Sequence, residues 1–276
     1  GWFYNRTTVM ANFGFDFFDP TDMGLEDHST DSVVLDYIKW IPYGMDKFFT
    51  FYITYDAHQP YSVDSLSEIM KSYLTTVQNH YPDLPIAEQV YLAKNMDLDT
   101  GLKQLLKDYS NSNILDDTVI MIYGDHYPKG LFENKSDYEE ICNIHGISLE
   151  TCFDTPLIIY NSELKGEVIQ KVSSTIDISP TIIDLFSLDY NPKLILGHSI
   201  FDPSYDGFCF DAWDVIETDN YIYDSGSDSI VEKDYSDGTK DIDEARRLFY
   251  EFSTLRQIVP LNYFANTTYN YSDIKE

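Results

Sequence analysis

The sequence predicts an α/β protein with a mainly parallel sheet, followed by a smaller antiparallel piece that begins at about Asp206. Three nearly continuous apolar runs, of the kind found in strands covered on both faces, support the sheet. Two helical patterns lie between the first and second runs, which is typical of a parallel crossover. An alternating stretch after residue 206 supports the antiparallel piece.

The predicted strands are residues 48–55, 118–123 and 156–160, which are rich in aromatic and β-branched residues. Residues 65–80 and 86–109 repeat apolar side chains at helical spacing on one face. The sequence therefore predicts a strand, two helices and a second strand, with the third strand later in the chain.

Two further helices are predicted toward the end of the chain. Residues 177–188 can begin a helix because Asp177 or Ser179 can cap it and Pro180 fits its first turn. Residues 242–261 carry a helical pattern and predict a terminal helix.

The antiparallel piece is predicted from residues 207–224, which alternate and hold turn residues near 218–220. We therefore expect residues 1–205 to form the α/β part of the domain. Residues 206–276 are expected to form a small antiparallel sheet and the terminal helix, packed on the same domain.

The charge of the chain excludes several classes of partner. Among 276 residues, 47 Asp and Glu face 18 Lys and Arg, a formal net charge of -29. Such a chain repels nucleic acid and anionic membrane surfaces, so we expect no nucleic-acid partner. An anionic substrate would need local cations, for which a bound metal is the obvious candidate.

The chain opens abruptly in aromatic, core-like sequence at residues 1–4 and carries no evident signal peptide. No apolar run reaches the roughly 18 residues that a transmembrane helix needs. We interpret the chain as a piece of a longer protein.

The cysteines leave two possibilities open. Cys142 and Cys152 bracket a short loop and could form a disulfide, which a secreted protein would favour, while Cys209 would stay free. The alternative is three reduced, buried thiols. No CxxC pair occurs, so a zinc knuckle is not expected.

The strongest candidate for chemistry is the pair Asp125 and His126, which follows Gly124 directly after the run 118–123. Sites in open α/β sheets form at the carboxyl ends of strands, where a turning chain lets adjacent side chains converge. A carboxylate and an imidazole suit Mn, Zn or Mg. Taken alone, such a pair is more often a turn residue beside a surface imidazole.

Several segments together resemble the catalytic domain of lipoteichoic acid synthases, the phosphoglycerol transferases of the alkaline phosphatase and sulfatase superfamily. They occur in the order that this family shows, and the ordered set is more specific than any single piece. The segments are residues 3–6 (FYNR), 13–19 (FGFDFFD), 49–61 (FTFYITYDAHQPY), 124–127 (GDHY), 155–159 (TPLII), 177–185 (DISPTIIDL) and 197–201 (GHSIF).

The resemblance implies roles for five residues. Asp125 and His126 match the family's two late metal ligands, and His58 matches its substrate-binding histidine. Arg6 matches an arginine that contacts the glycerophosphate group, and Tyr4 stands where the family usually has Trp. A turn histidine, a surface ion pair and core packing are the structural alternatives for His58, Arg6 and Tyr4.

The resemblance also implies the fold, an alkaline-phosphatase-like three-layer sandwich of which this chain would be the C-terminal half. The family holds its metal with an early acidic residue and a threonine nucleophile as well, and both would lie upstream of this chain. We therefore expect no catalytic nucleophile here, and the two protein ligands fall short of the roughly four that a closed site needs. The chain alone is expected to be inactive.

The implied function is a metal-dependent phosphoglycerol transfer from phosphatidylglycerol-type phosphodiesters to lipoteichoic-acid-like polymers. The implied cofactor is a divalent metal, Mn, with Mg or Zn as alternatives, and the implied partner is a lipid-linked glycerophosphate. The expected location is the extracellular face of the bacterial cytoplasmic membrane, with anchoring helices outside this chain. A sulfatase or phosphodiester hydrolase of the same superfamily and a non-catalytic binding fragment are the alternatives.

Overall fold

A computed structural model describes residues 5–26, 28–131, 135–147, 153–192, 195–205, 207–210, 214–233 and 242–258. The chain separates into two compact units, Gly1–Lys165 and Gly166–Glu276. A compact unit is not by itself an independently folding domain, so the predicted boundary after residue 205 stays a prediction.

The described part of the first unit is mainly helical, and it contains a short two-stranded sheet. Its helices and strands are α1 (Arg6–Asn12), α2 (Asp31–Ile38), α3 (Glu68–His80), α4 (Ile86–Asn111), β1 (Ile120–Tyr123), α5 (Lys135–His145) and β2 (Leu157–Tyr160). The two helices predicted from apolar spacing between residues 65 and 109 are confirmed as α3 and α4.

Helices α3 and α4 pack together because each presents an apolar stripe to the other. Ser67 caps α3, where its side chain accepts a hydrogen bond from the backbone N–H of Met70. Buried side chains form the core between the two helices: Leu66, two residues before α3, with Met70, Leu74, Val77, Val90 and Ala93.

Helix α2 packs against the second half of α4 through Val34, Leu35 and Ile38. Gly101 of α4 makes this approach possible, since a Cβ at this position would lie 2.8 Å from the Cα of Ser32. The central helix α4 is therefore covered by α3 on one part of its length and by α2 on another.

The strand predictions succeeded in part. Strands β1 and β2 lie within the predicted runs, but they pair antiparallel, with Ile120 opposite Tyr160 and Tyr123 opposite Leu157. The expectation of a parallel sheet is therefore wrong for the strands that the structure describes.

Residues 48–55 form no strand, which corrects a second prediction. Phe49 and Phe51 keep 62% and 44% of their surface exposed, so this apolar run is not covered. A strand needs a hydrogen-bonded neighbour, and none of the described strands pairs with this segment. The residue composition of this run favours a strand, but it does not specify a neighbouring strand to pair with.

The second unit joins a short helix to an antiparallel sheet and a long helix. Its elements are α6 (Ile178–Leu185), β3 (Phe208–Phe210), β4 (Val215–Thr218), β5 (Tyr221–Asp224), β6 (Ser229–Glu232) and α7 (Ile242–Ile258). The strands lie side by side in chain order, and the predicted hairpin is confirmed as the antiparallel pair β4 and β5. The predicted helices are confirmed as α6 and α7.

The core of the second unit lies between the sheet and α7, where Ile216, Tyr221, Tyr223 and Ala245 are buried. Thr218 closes the hairpin, because its hydroxyl donates to the carbonyl of Tyr221 and accepts from the backbone N–H of the same residue. Across both units, none of the described helices has both the length and the apolar character of a bilayer span.

Candidate active site

The turn after β1 exposes Asp125 and His126. The N–H of Gly124 donates to the carbonyl of Pro156 at 3.1 Å, which continues the pairing of β1 with β2 for one residue. A Cβ on Gly124 would lie 2.8 Å from the Cβ of Thr155, so glycine allows the two chains to approach here. The chain then turns away, and the side chains of Asp125 and His126 keep 74% and 44% of their surface exposed.

The imidazole of His126 is oriented by the backbone. Its Nδ1 lies 2.7 Å from the carbonyl oxygen of Tyr127, and a carbonyl oxygen only accepts, so we assign the ring proton to Nδ1. The lone pair of Nε2 is then available to a metal, as in histidine ligands whose other nitrogen bonds a carbonyl. Nε2 lies 3.8 Å from Oδ1 of Asp125, so both donor atoms can face one ion.

His58 lies in a turn that follows the exposed aromatic run, and its backbone N–H donates to the carbonyl of Tyr55 at 3.0 Å. Its Nδ1 lies 2.8 Å from the carbonyl oxygen of Gln59, which assigns the same tautomer as in His126. The ring stacks on Tyr55, with centroids 6.0 Å apart and planes within 5°. Nε2 of His58 is therefore the nitrogen that can reach a ligand.

The rings of His58 and His126 lie 6.1 Å apart between centroids and meet edge to face at 83°. The structure therefore brings together the two histidines and Asp125, although 67 or more positions separate His58 from that pair in the sequence. The functional roles of these residues stay predictions.

Other predicted site residues are not part of this group. Arg6 begins α1 and is half-buried, and the contacts of the described residues do not connect it to His58 or Asp125. Tyr4 lies outside the described residues. Cys142 is buried in α5, but Cys152 lies outside the described residues, so the disulfide between them stays a prediction.

Sequence reasoning missed Lys94, which holds the turn that carries His58. Lys94 lies in α4 with only 5% of its surface exposed, and its Nζ donates to the carbonyls of His58 at 2.9 Å and Pro60 at 3.1 Å. Burial lowers the pKa of this lysine, while the nearby Asp56 acts in the opposite direction. The sequence feature that could have revealed this role is the place of Lys94 on the buried stripe of α4, next to Ala93.

Sequence reasoning also missed a buried carboxyl group beneath the same turn. Asp31 keeps 3% of its surface exposed and accepts hydrogen bonds from the Tyr52 hydroxyl at 2.6 Å and from the backbone N–H of Tyr55 and Asp56 at 3.0 Å each. Burial raises the pKa of Asp31. Burial, and then the neighbouring carboxylates of Asp31 and Asp97, raise the pKa of Asp56 to about 7.

The donor set of this site fits a divalent metal in type but is incomplete in number. Asp125 and His126 offer one oxygen and one nitrogen, which suit Mn, Zn or Mg. Within the described ranges no group of three or more His, Cys, Asp or Glu side chains could hold an ion. Asp125 and His126 can therefore form part of a coordination shell, and further ligands would have to complete it.

A family model for sulfatases matches residues 1–188, which is more than half of the chain. The chain therefore belongs to the sulfatase family.

Within that superfamily the chain is lipoteichoic-acid-synthase-like. It is 25% identical to lipoteichoic acid synthase 2 of Bacillus subtilis over 95% of this chain and 44% of that protein. It is 27% identical to lipoteichoic acid synthase 1 of the same organism over 81% of this chain and 36% of that protein. Staphylococcus aureus lipoteichoic acid synthase is 26% identical over 72% of this chain and 31% of that protein. The chain thus spans less than half the length of these relatives.

The fold resembles the crystal structure of the lipoteichoic acid synthase LtaP from Listeria monocytogenes. The TM-score is 0.64 at 18% identity, over 92% of this chain and 66% of that one. This similarity confirms the predicted alkaline-phosphatase-like α/β fold class, and at this identity it bears on the fold alone.

Proposed function

We propose that this chain is part of a metal-dependent phosphoglycerol transferase that acts on phosphatidylglycerol-type phosphodiesters to build lipoteichoic-acid-like polymers. The observation that carries the proposal is the grouping of His58, Asp125 and His126, with the two imidazole rings 6.1 Å apart. Similarity to lipoteichoic acid synthases favours this substrate over other esters of the superfamily.

In the proposed mechanism, Asp125 and His126 hold the metal, for which we propose Mn. When bound, the metal would activate a hydroxyl nucleophile and neutralise charge on the phosphoryl oxygens. We propose that the nucleophile, a threonine, and the remaining ligands lie in sequence upstream of this chain. The intact protein, not the chain alone, would then carry out the reaction.

His58 is proposed to act on a proton at the leaving or entering oxygen. Its Nδ1 is bonded to the Gln59 carbonyl, so Nε2 is the atom that accepts the proton and later returns it. Arg6 is proposed to orient the glycerophosphate, since its planar guanidinium suits two phosphate oxygens and cations are scarce in this chain. Tyr4 is proposed as a further substrate contact.

The same similarity supports a proposal about location. We propose that the intact protein is anchored by membrane helices outside this chain and works on the extracellular face of the cytoplasmic membrane. The partner would be a lipid-linked glycerophosphate.

Metal binding tests the first step of this proposal. We expect Mn²⁺ titrations of the chain, followed by electron paramagnetic resonance, to show weak binding that falls at least about tenfold in the Asp125→Asn and His126→Gln variants. His80→Gln, which changes an exposed histidine of α3, is the control and should leave Mn²⁺ binding unchanged. Equal binding by all four proteins would contradict the assigned ligands.

Activity assays of the intact protein then distinguish the transferase from the two alternative functions. Turnover of phosphatidylglycerol with formation of glycerophosphate polymer supports the transferase. Release of free glycerophosphate without polymer, or hydrolysis of aryl sulfate or phosphate esters instead, would indicate a hydrolase of the same superfamily. No turnover of any ester, together with retained ligand binding, would indicate a binding protein.

A further inference from the structure

We propose that Lys94 is a positioning residue for His58: it fixes the turn at residues 55–60 so that the imidazole faces His126. This inference rests on the proposed role of His58 in substrate binding. Lys94 does not itself reach the reacting atoms in this arrangement, since its Nζ bonds the backbone on the inner side of the turn.

The first argument is the choice of acceptors. Nζ of Lys94 donates to the carbonyl of His58 at 2.9 Å and to that of Pro60 at 3.1 Å, so one ammonium group bridges the two residues on either side of Gln59. Gln59 supplies the carbonyl that orients the His58 ring. The ammonium therefore fixes the peptide segment that sets both the position and the tautomer of His58.

The second argument is the density of side-chain contacts on this turn. Asp31 accepts from the backbone N–H of Tyr55 and of Asp56, and the Tyr61 hydroxyl donates to the carbonyl of Ala57 at 3.0 Å. With the two carbonyls bonded by Lys94 and the Gln59 carbonyl bonded by the His58 ring, side chains hold backbone groups of all six residues from 55 to 60. A surface turn normally leaves such groups to water, so this turn is held more rigidly than its exposure requires.

The third argument is the cost of placing a lysine there. Lys94 keeps 5% of its surface exposed, and burial lowers its pKa, because an ammonium loses its hydration inside the protein. The ring of Tyr61, 5.8 Å from Nζ, and the carboxylate of Asp56 are the neighbours that offset this loss. An apolar residue would fill the same space at lower cost, but it could not bond the two carbonyls.

A small displacement of His58 would matter for the proposed reaction. Proton transfer requires donor and acceptor atoms within hydrogen-bond distance, and misplacement by about 1 Å can reduce rates about a hundredfold. The His58 side chain is exposed, and among the described residues its ring-to-ring contacts are with Tyr55 and His126. The position of Nε2 therefore depends on the backbone of the turn, which the two bonds from Lys94 hold together with those of Asp31 and Tyr61.

The test is the tautomer of each histidine in nitrogen-15 NMR spectra of the chain, recorded for the wild type, Lys94→Met and Lys94→Gln. We expect one sharp Nδ1-protonated signal for His58 in the wild type. Lys94→Met should replace it with the averaged signal of mixed tautomers, and Lys94→Gln, whose shorter amide reaches at most one carbonyl, should give an intermediate result. Lys103→Met, on an exposed face of α4, is the matched control and should leave His58 unchanged.

A role in stability alone would change the melting temperature without changing the His58 tautomer in the folded protein. An unaltered His58 signal in a folded Lys94→Met protein would therefore overturn the proposal, and if that variant does not fold, Lys94→Gln decides by the same signal. If neither variant folds, the role of Lys94 is in stability, and the proposed positioning role is overturned as well. The His80 signal should stay constant throughout.

The same samples separate this inference from the proposed function. Mn²⁺ added to the wild type should broaden the signals of His126 and His58 selectively. If it broadens neither while Lys94→Met still alters the His58 tautomer, the positioning contact stands and the metal site fails. If it broadens both while the tautomer is insensitive to position 94, the metal site stands and the inference fails.

Discussion

Asp31 and Asp56 each accept a hydrogen bond from the backbone N–H of the other. The N–H of Asp31 donates to Oδ2 of Asp56 at 2.5 Å, and the N–H of Asp56 donates to Oδ2 of Asp31 at 3.0 Å. Asp31 is the first residue of α2, so the exchange ties the start of that helix to the turn that carries His58. A buried carboxyl group and a half-buried one thus lie close together, which makes the stability of this part of the protein sensitive to pH.

We predict that the contribution of Asp56 to the free energy of unfolding falls as the pH rises from about 4 to about 7. The folded-state pKa of Asp56 is raised from 3.8 to about 7, so the folded protein binds more protons than the unfolded one between these values. Under that condition the free energy of unfolding falls as the pH increases. Asp56→Asn removes the titrating group and keeps an oxygen that can accept from Asp31.

Urea unfolding of the wild type and Asp56→Asn at pH 4 to 7 measures this effect. The stability of the wild type relative to the variant should decrease as the pH rises. Carboxylates distant from Asp56 contribute equally to both proteins and cancel in the difference, whereas the coupling of Asp56 to Asp31 and Asp97 is part of the measured effect. Parallel stability curves would show that Asp56 titrates normally in the folded protein.

We predict that Tyr52→Phe destabilises the protein by about 1–3 kcal/mol, the usual cost of losing a hydrogen bond to a buried, charged acceptor. The Tyr52 hydroxyl donates to Oδ1 of Asp31 at 2.6 Å, and burial followed by the charge of Asp31 raises the pKa of this phenol. Tyr37→Phe, on the exposed face of α2, should change stability by less than about 0.5 kcal/mol. Equal effects of the two substitutions in chemical unfolding would exclude the contact as a source of stability.

The parts of the fold that depend on local pattern could be predicted from the sequence. Apolar spacing located α3 and α4, because one face of each helix is buried against the other. The position of Asp125 and His126 just after a strand was predictable because β1 is a short apolar run that ends at Tyr123, directly before Gly124.

The contacts that hold the site could not be predicted, because they join distant positions. Asp31 meets Asp56 across 25 residues, and Lys94 meets His58 across 36. No periodicity marks such pairs, and a buried lysine or aspartate appears in the sequence as an ordinary charged residue. The strand prediction for residues 48–55 was wrong for the same reason, since a strand depends on a partner that its own residues do not specify.

Asp177 shows how a local interpretation can find an important residue and assign it the wrong contact. The sequence predicted that Asp177 caps the helix that follows it, but its side chain makes no capping bond to α6. Its Oδ2 instead accepts from the N–H of Ser174 at 2.9 Å, in the capping box of the preceding 3-10 turn Thr175–Asp177. Its Oδ1 also accepts from the N–H of His198 at 2.9 Å, although Asp177 keeps only 1% of its surface exposed. Asp177 therefore connects the start of α6 to the segment 195–201.

We predict that Asp177→Ala destabilises the second unit by about 2–4 kcal/mol, because it leaves two backbone N–H groups without their acceptor. Asp184→Ala is the control, since Asp184 bonds only an exposed hydroxyl, that of Ser199, and should cost less than about 1 kcal/mol. Hydrogen exchange at Ser174 and His198 gives the site-specific measurement. Unchanged protection of both amides in Asp177→Ala would rule out this explanation of the buried carboxylate.

We predict that Gly197→Ala disturbs the same connection from its other side. A Cβ at position 197 would lie 2.2 Å from the carbonyl oxygen of Ile176 and 2.7 Å from Oδ1 of Asp177. The first is a backbone atom, and the second belongs to a buried carboxyl group held by two hydrogen bonds. The backbone must shift to admit a methyl group, which should cost about 1–3 kcal/mol or more and lengthen the bond from His198 to Asp177.

Gly166→Ala provides the matched control for this substitution, because a Cβ there meets nothing within 4 Å. Its effect on the free energy of unfolding should stay within about 0.5 kcal/mol, or be slightly stabilising through the loss of chain entropy in the unfolded state. Gly197→Ala and Asp177→Ala break the same connection. The double variant should therefore lose less stability than the sum of the losses in the two single variants. Full additivity would mean that the glycine is needed for a reason independent of the carboxylate.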